Sequence, residues 1–197
     1  MKHIPPITPE NRKEIIKSAD AIFFGSPTRF GVMTAQMKSF FDALGGLWFE
    51  NACVGKVASC FTGSGSQHGG QETTLFSMIT PLLHLGFVYV GLPYSCKEQK
   101  EIMEVSGGSP YGATFIAGSD GSRAVSENEK ACARFQGRHV AQFAKELKLG
   151  RERANSSPAS VEPVPEKKKE PTKEPGTYSS INCICICILL EFFGSLS

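Results

Sequence analysis

The stretch DAIFFGSPTRFG, residues 20–31, decides the fold. Its first half is an apolar run that ends in glycine without polar alternation, the pattern of a strand buried on both faces of a parallel sheet. The second half is a polar loop, and a helix is predicted over 34–44, where Met37, Phe40, Phe41 and Leu44 share one face. The same order recurs downstream. KVASCFT (56–62) reads as a strand, 63–70 as a glycine-rich loop, and 72–85 as a helix that Pro81 should kink. Residues 87–90 and 113–117 read as third and fourth strands, joined by a loop too long for a simple connection. Upstream, Thr8 followed by Pro9 predicts a short helix to about Ser18. The final helix opens on the capping box of Ser126 and Glu129 and turns Cys132, Phe135, Val140, Phe143 and Leu147 inward, to about Lys148. Strands alternating with helices imply a doubly wound parallel α/β sheet.

A chain of 197 residues, 41% hydrophobic and 20% charged, suits one compact domain with a tail. A net charge of +2 is too small to steer the protein onto nucleic acid, so no such partner is predicted. Cys53, Cys60, Cys96 and Cys132 follow neither a metal nor a disulfide spacing and read as small buried hydrophobes in a reducing compartment. The first residues lack the apolar core of a signal peptide, and no run is long enough to span a bilayer, which predicts a soluble cytoplasmic protein. The α/β domain is expected over 1–149. A disordered linker rich in Pro, Lys and Glu should occupy 150–180, with Lys167, Lys168 and Lys169 solvated between Glu166 and Glu170. The apolar tail, 181–197, alternates Cys183, Ile184, Cys185, Ile186 and Cys187 with period two, as a strand would. It reads as an extension with no function of its own; acylation of its cysteines is the one weak suggestion of membrane association.

Ligands of open α/β sheets sit at the carboxyl ends of the strands, so the loops after the first two strands carry the chemistry. Glycines and small side chains in 25–31 and 63–72 leave backbone N–H groups approachable, and Arg29 and Phe30 add a cation and a ring. Such loops suit a flat, electron-rich ligand: the N–H groups can bind ring carbonyls, and Arg29 can stabilise negative charge that develops on the ring. The third glycine of the dinucleotide fingerprint and the Gly-Lys-Ser/Thr of a nucleoside triphosphate loop are both missing from these stretches.

Three stretches, FGSPTRFGVMTAQMKSFFDALGGLW (24–48), GSGSQHGGQET (63–73) and GGSPYGATFIAGSDGSR (107–123), resemble the WrbA-type NAD(P)H:quinone oxidoreductases, which are flavodoxin-like FMN proteins. With the last helix, the resemblance covers about residues 5–149. It implies that Thr28, Arg29 and Phe30 contact the FMN ring. Gly63, Ser64, Gly65, Ser66, Gln67 and His68 would wrap its pyrimidine edge. Trp48 would lie over the flavin in the quinone pocket, and His84 would approach it from a neighbouring region or subunit. NADH or NADPH would deliver hydride to FMN, and a quinone would then take two electrons at the same site, in a homodimer or tetramer.

Two departures qualify the match. The family usually has Ser-Thr-Gly-Thr where this chain has Gly63-Ser64-Gly65-Ser66, a change that keeps the backbone donors. Its members also open with a strand, a phosphate-binding loop, a helix and a second strand, ahead of the strand that corresponds to 20–25. The expectation is therefore an N-terminally truncated domain in which 20–25 is an exposed apolar edge and FMN binding is weakened. An alternative follows from the same expectation: a catalytically impaired chain that associates with full-length relatives through that edge.

Overall fold

The computed structural model describes residues 7–156 and 182–187. A short helix, α1 (Arg12–Ser18), leads into β1 (Ala21–Pro27). The turn at 9–11 precedes it and Asn11 takes the N-cap position, so the helix starts later than Thr8 suggests. Thr34 caps α2 (Ala35–Asp42) by accepting the Met37 N–H at 3.3 Å, and α3 (Gly45–Phe49), which the sequence reading missed, follows directly.

β2 (Val57–Ser64) runs parallel to β1, with Ala21 opposite Val57 and Pro27 opposite Gly63. Helix α4 (Gln71–His84) continues through Pro81, which stands inside it. β3 (Val88–Tyr89) is only two residues long and pairs with Val57 and Ala58 of β2; β4 (Ala113–Ile116) pairs with Phe61 to Ser64 of the same strand. The third and fourth expected strands thus share one neighbour. Helix α5 (Glu127–Ser156) runs past Lys148, and the Arg151 Nη2 donates to the Gly55 carbonyl oxygen at 2.6 Å. Residues 150–156, expected in the linker, are helical, and that contact ties this last part of the helix to the turn before β2. The remainder of the expected linker, with residues 188–197, lies outside the described residues.

The expected open edge is not what the structure has. β5 (Cys183–Cys187) pairs in parallel with β1, from Ala21 opposite Cys183 to Gly25 opposite Cys187. The sheet order is β3-β2-β1-β5, with β4 also on β2, so β1 is an interior strand. The physical reason is the period-two tail, whose Ile184 is buried in the core beside Ile22 and Phe24 while its backbone pairs with the apolar edge that an unpaired β1 would present.

Alternation along β1 sends side chains to two cores. Ile22 and Phe24 join Ala58, Cys60 and Ile184 under α1, α2, α3 and α4, where Phe24 stacks obliquely on Phe41 at 5.3 Å between centroids. Ala21 and Phe23 face Val140 and Ala144 of α5 on the other side. Gly25 permits the close packing at the top of β1: a Cβ there would stand 2.1 Å from the Phe61 ring. No described helix is long and apolar enough to cross a membrane. Cys53, Cys60, Cys96 and Cys132 are buried free thiols, and burial pushes the Cys132 thiol up to about 12, which keeps it protonated.

Candidate functional site

Two loops meet at the carboxyl ends of β1 and β2. The Thr28 N–H donates to the Gly63 carbonyl oxygen at 3.0 Å, and the Thr74 hydroxyl at the start of α4 donates to the Thr28 Oγ1 at 2.7 Å. Arg29 and Val32 exchange both backbone hydrogen bonds, at 2.8 and 3.1 Å, closing a tight turn. Its two central residues, Phe30 at φ 51° and Gly31 at φ 82°, are left-handed. Phenylalanine in that region is strained, and the Phe30 ring is fully exposed at 106%. A strained residue with an exposed ring, held in place by its neighbours, is characteristic of a ligand contact. The Arg29 Nη1 donates to the Thr28 carbonyl oxygen at 2.9 Å, which lays the guanidinium along the same turn.

The facing loop is held at both ends and open between them. The Ser64 hydroxyl donates to the Ser66 carbonyl oxygen at 2.7 Å, and the Gln71 Nε2 donates to the Ser64 Oγ at 2.9 Å. The Thr114 hydroxyl donates to the Gln71 Oε1, so one glutamine side chain ties the loop to β4. Gly70 closes the loop at φ 88°, where a Cβ would stand 2.7 Å from the Gly31 Cα. Between these ties, the N–H groups of Gly65, Ser66, Gln67 and His68 donate to no backbone carbonyl of the described residues. Four consecutive unspent donors beside an exposed ring and a guanidinium fit a flat heterocycle with an acceptor-rich edge, as a flavin has.

A third loop, 117–123, leaves β4 and approaches Gly65, where a Cβ would stand 3.3 Å from the Gly118 carbonyl oxygen. It is anchored by an ion pair between Arg123 and Glu129, of which the sequence predicts only the part of Glu129 in a capping box. Arg123 donates through Nη1 to the Ile116 carbonyl oxygen at 2.6 Å and to both Glu129 carboxylate oxygens at 3.0 Å, and through Nη2 to the Val105 carbonyl oxygen at 2.6 Å. Glu129 is 2% exposed and also accepts the N–H groups of Ser126, Ile116 and Gly107 at 2.7, 2.9 and 3.1 Å. Desolvation raises the pKa of its carboxyl, but the three backbone donors and Arg123 outweigh it and hold the group below its ordinary value. The signal for this anchor was Arg123 ending a glycine-rich loop ahead of the capping box; for Gln71 and Thr74 it was polar residues in the first turn of a helix.

The structure therefore brings Thr28, Arg29 and Phe30 together with 63–68. Trp48 and His84 it places elsewhere. They line a groove of about 620 Å³ with Met33, Phe41, Pro81 and Leu85. His84 is the last residue of α4, about 20 Å along the helix from Gln71 beside the open loop. Within one chain it stays away from the donor run at 65–68. Tyr111 shapes a two-residue turn between Ser109 and Gly112 and packs its ring on Phe76 at 4.3 Å.

Comparison with known proteins agrees with this geometry. The sequence profile of a family described as NADPH-dependent FMN reductase matches residues 3–100. A protein of Methanosarcina acetivorans named NAD(P)H dehydrogenase (quinone) is 58% identical over 145 residues, covering 74% of this chain and 69% of the relative. A protein of the same name from Geobacter sulfurreducens is 56% identical over 145 residues, covering 74% of this chain and 70% of the relative. Among solved structures, the flavodoxin, WrbA-like protein from Agrobacterium tumefaciens superposes with a TM-score of 0.55 at 28% identity, covering 70% of this chain and 74% of that one. Sequence, fold and loop geometry agree: the chain belongs to the NAD(P)H dehydrogenase (quinone) family.

Proposed function

We propose that the chain is an FMN-dependent NAD(P)H:quinone oxidoreductase, taking hydride from NADH or NADPH and delivering two electrons to a quinone at the same site in turn. The observation that carries this reading is the strained Phe30 turn facing the unspent donors of 65–68 at the carboxyl ends of β1 and β2. Bound FMN supplies the reversible two-electron chemistry. The N–H groups of 65–68 receive the acceptor edge of the ring, and Arg29 holds positive charge where negative charge gathers during reduction. Phe30 offers a stacking face. Loop 117–123, fixed by Arg123 and Glu129, backs the donor run at Gly65.

Trp48 and His84 enter through a second copy of the chain. The groove that they share is largely apolar and is flanked by Phe49 and Leu83, exposed at 83% and 58%. A homodimer or tetramer built on this face brings Trp48 over the neighbouring subunit's flavin as a wall of the quinone pocket, and brings His84 to its rim. The catalytic unit is the α/β domain expected over 1–149, with α5 continued to Ser156 and β5 added to its sheet, and the four buried free thiols suit a reducing cytoplasm. Association through an open β1 edge, the alternative function, lacks its surface, because β5 pairs with that edge.

Initial-rate kinetics test the shared site. Varying NADPH at several fixed concentrations of a benzoquinone should give parallel double-reciprocal lines. Intersecting lines would mean that both substrates bind at once and would overturn the proposal.

A further inference from the structure

β5 comes from the far end of the chain, yet its position in the sheet is specific. In the flavodoxin-like order 2-1-3-4-5, the cofactor binds at the switch point between strands 1 and 3, where the strand order reverses. Here the chain runs outward from β1 through β2 to β3 and β4, and β5 lies on the other side of β1. Helices α2 and α4 cover one face of the sheet and α5 the other. The reversal of strand order in this sheet lies between β5 and β1.

Two features fix β5 in register. At its foot, the Asp20 carboxylate oxygen Oδ2 accepts the Asn182 N–H at 2.9 Å and the Lys148 ammonium at 3.0 Å. The Asp20 N–H donates back to the Asn182 carbonyl oxygen at 2.9 Å. One residue into the strand, Ile184 is 7% exposed and belongs to the core that holds Ile22 and Phe24. A one-residue slip would carry Ile184 to the opposite face, so these contacts specify a single alignment. In that alignment β5 ends opposite Gly25, β1 ends two residues later at Pro27, and the loop that follows carries Thr28, Arg29 and Phe30.

From this placement we propose that the Cys183–Cys187 strand forms one wall of the cofactor crevice, taking the position that strand 1 holds in the flavodoxin-like order, so that FMN retention depends on the C-terminal tail. The inference rests on the FMN reading above. The tail then has two roles: it covers the apolar edge of β1, and it holds the Arg29–Phe30 turn at the mouth of the crevice against the facing loop.

The test compares the full chain with a form ending at Ser156 and with the full-length Ile184→Ala variant. FMN affinity is read from flavin fluorescence, and backbone amide exchange is followed over 21–27. The full chain should bind FMN. The form ending at Ser156 should bind at least tenfold more weakly with faster exchange in β1, and Ile184→Ala should lie between the two. Equal FMN affinity in the full chain and the shortened one overturns the wall while leaving the oxidoreductase reading intact. Should the shortened chain precipitate, Ile184→Ala decides: faster β1 exchange with unchanged FMN affinity overturns the proposal. A folded full chain that binds no FMN overturns the oxidoreductase reading itself and the wall with it.

Discussion

Ala113, the first residue of β4, donates its N–H at 2.6 Å to the Oε1 of Gln136, a side chain of α5. The same amide donates through Nε2 to the Ser59 Oγ at 2.6 Å and to the Cys60 carbonyl oxygen at 2.9 Å. These are the two residues of β2 between its pairing with β3 and its pairing with β4. One buried side chain thus satisfies the fork where β2 changes partner, and β4 is held where its carboxyl end reaches the site.

Replacing Gln136 by Leu leaves the Ala113 N–H and the Cys60 carbonyl oxygen buried without this partner. Each such loss costs about 1–3 kcal/mol, so the variant should be less stable by on the order of 3 kcal/mol. Urea unfolding measures this directly, and a loss under about 1 kcal/mol would mean that strand or water contacts fill the fork.

Glu129 should make the fold acid-sensitive. Its folded pKa is depressed, so its contribution to stability is complete above the unfolded value, about 4.3, and is lost as pH falls through the folded value. The Glu129→Gln variant lacks that pH-dependent contribution. Its stability profile should be flatter than the parent's below about pH 4.3, and at neutral pH the variant should be weaker, because Arg123 loses its charged partner. Parallel profiles in acid would contradict the role given to this carboxylate.

Gly70→Ala should act on both stability and binding. The left-handed backbone costs a side chain about 1–2 kcal/mol, and the added Cβ would push on the Gly31 backbone. The two facing loops would separate, so FMN affinity should fall together with the melting temperature. Unchanged FMN affinity in a folded variant would show that the two loops act independently.

Arg29→Ala removes a cation from the turn without touching the core. A charged hydrogen bond contributes about 1.5–3 kcal/mol, so kcat/KM with NADPH and a benzoquinone should fall between about tenfold and a hundredfold. Thermal stability should hardly change, since Arg29 is exposed. Wild-type turnover in this variant would remove Arg29 from the site.

The local pattern made the central strands legible. The unalternating run 20–25 and the capping box at Ser126 and Glu129 each describe their own surroundings; the strand stands where it was read but runs past Gly25 to Pro27, and the cap stands as read. The two facing loops at the carboxyl ends of β1 and β2 were legible through their glycines and through family resemblance. Long-range relations were not. Nothing near Gln136 in sequence announces that it completes a fork in a strand 76 residues away. The period-two tail was readable as a strand, but its neighbour was not, because strand pairing depends on which edge the fold leaves open. β3 fell to two residues because β2 turns to β4 beyond Ala58, a competition invisible within 87–90. His84 and Trp48 were legible as a pair only through resemblance, and the chain places them together in a groove apart from the two facing loops.

The most direct measurement is an FMN titration of the purified full-length chain, followed by NADPH oxidation with a benzoquinone in the same sample. Saturation at one FMN per chain, with quinone reduction that rises and saturates as FMN is added, is the result predicted. A folded chain that leaves flavin fluorescence unchanged and oxidises no NADPH would contradict the account.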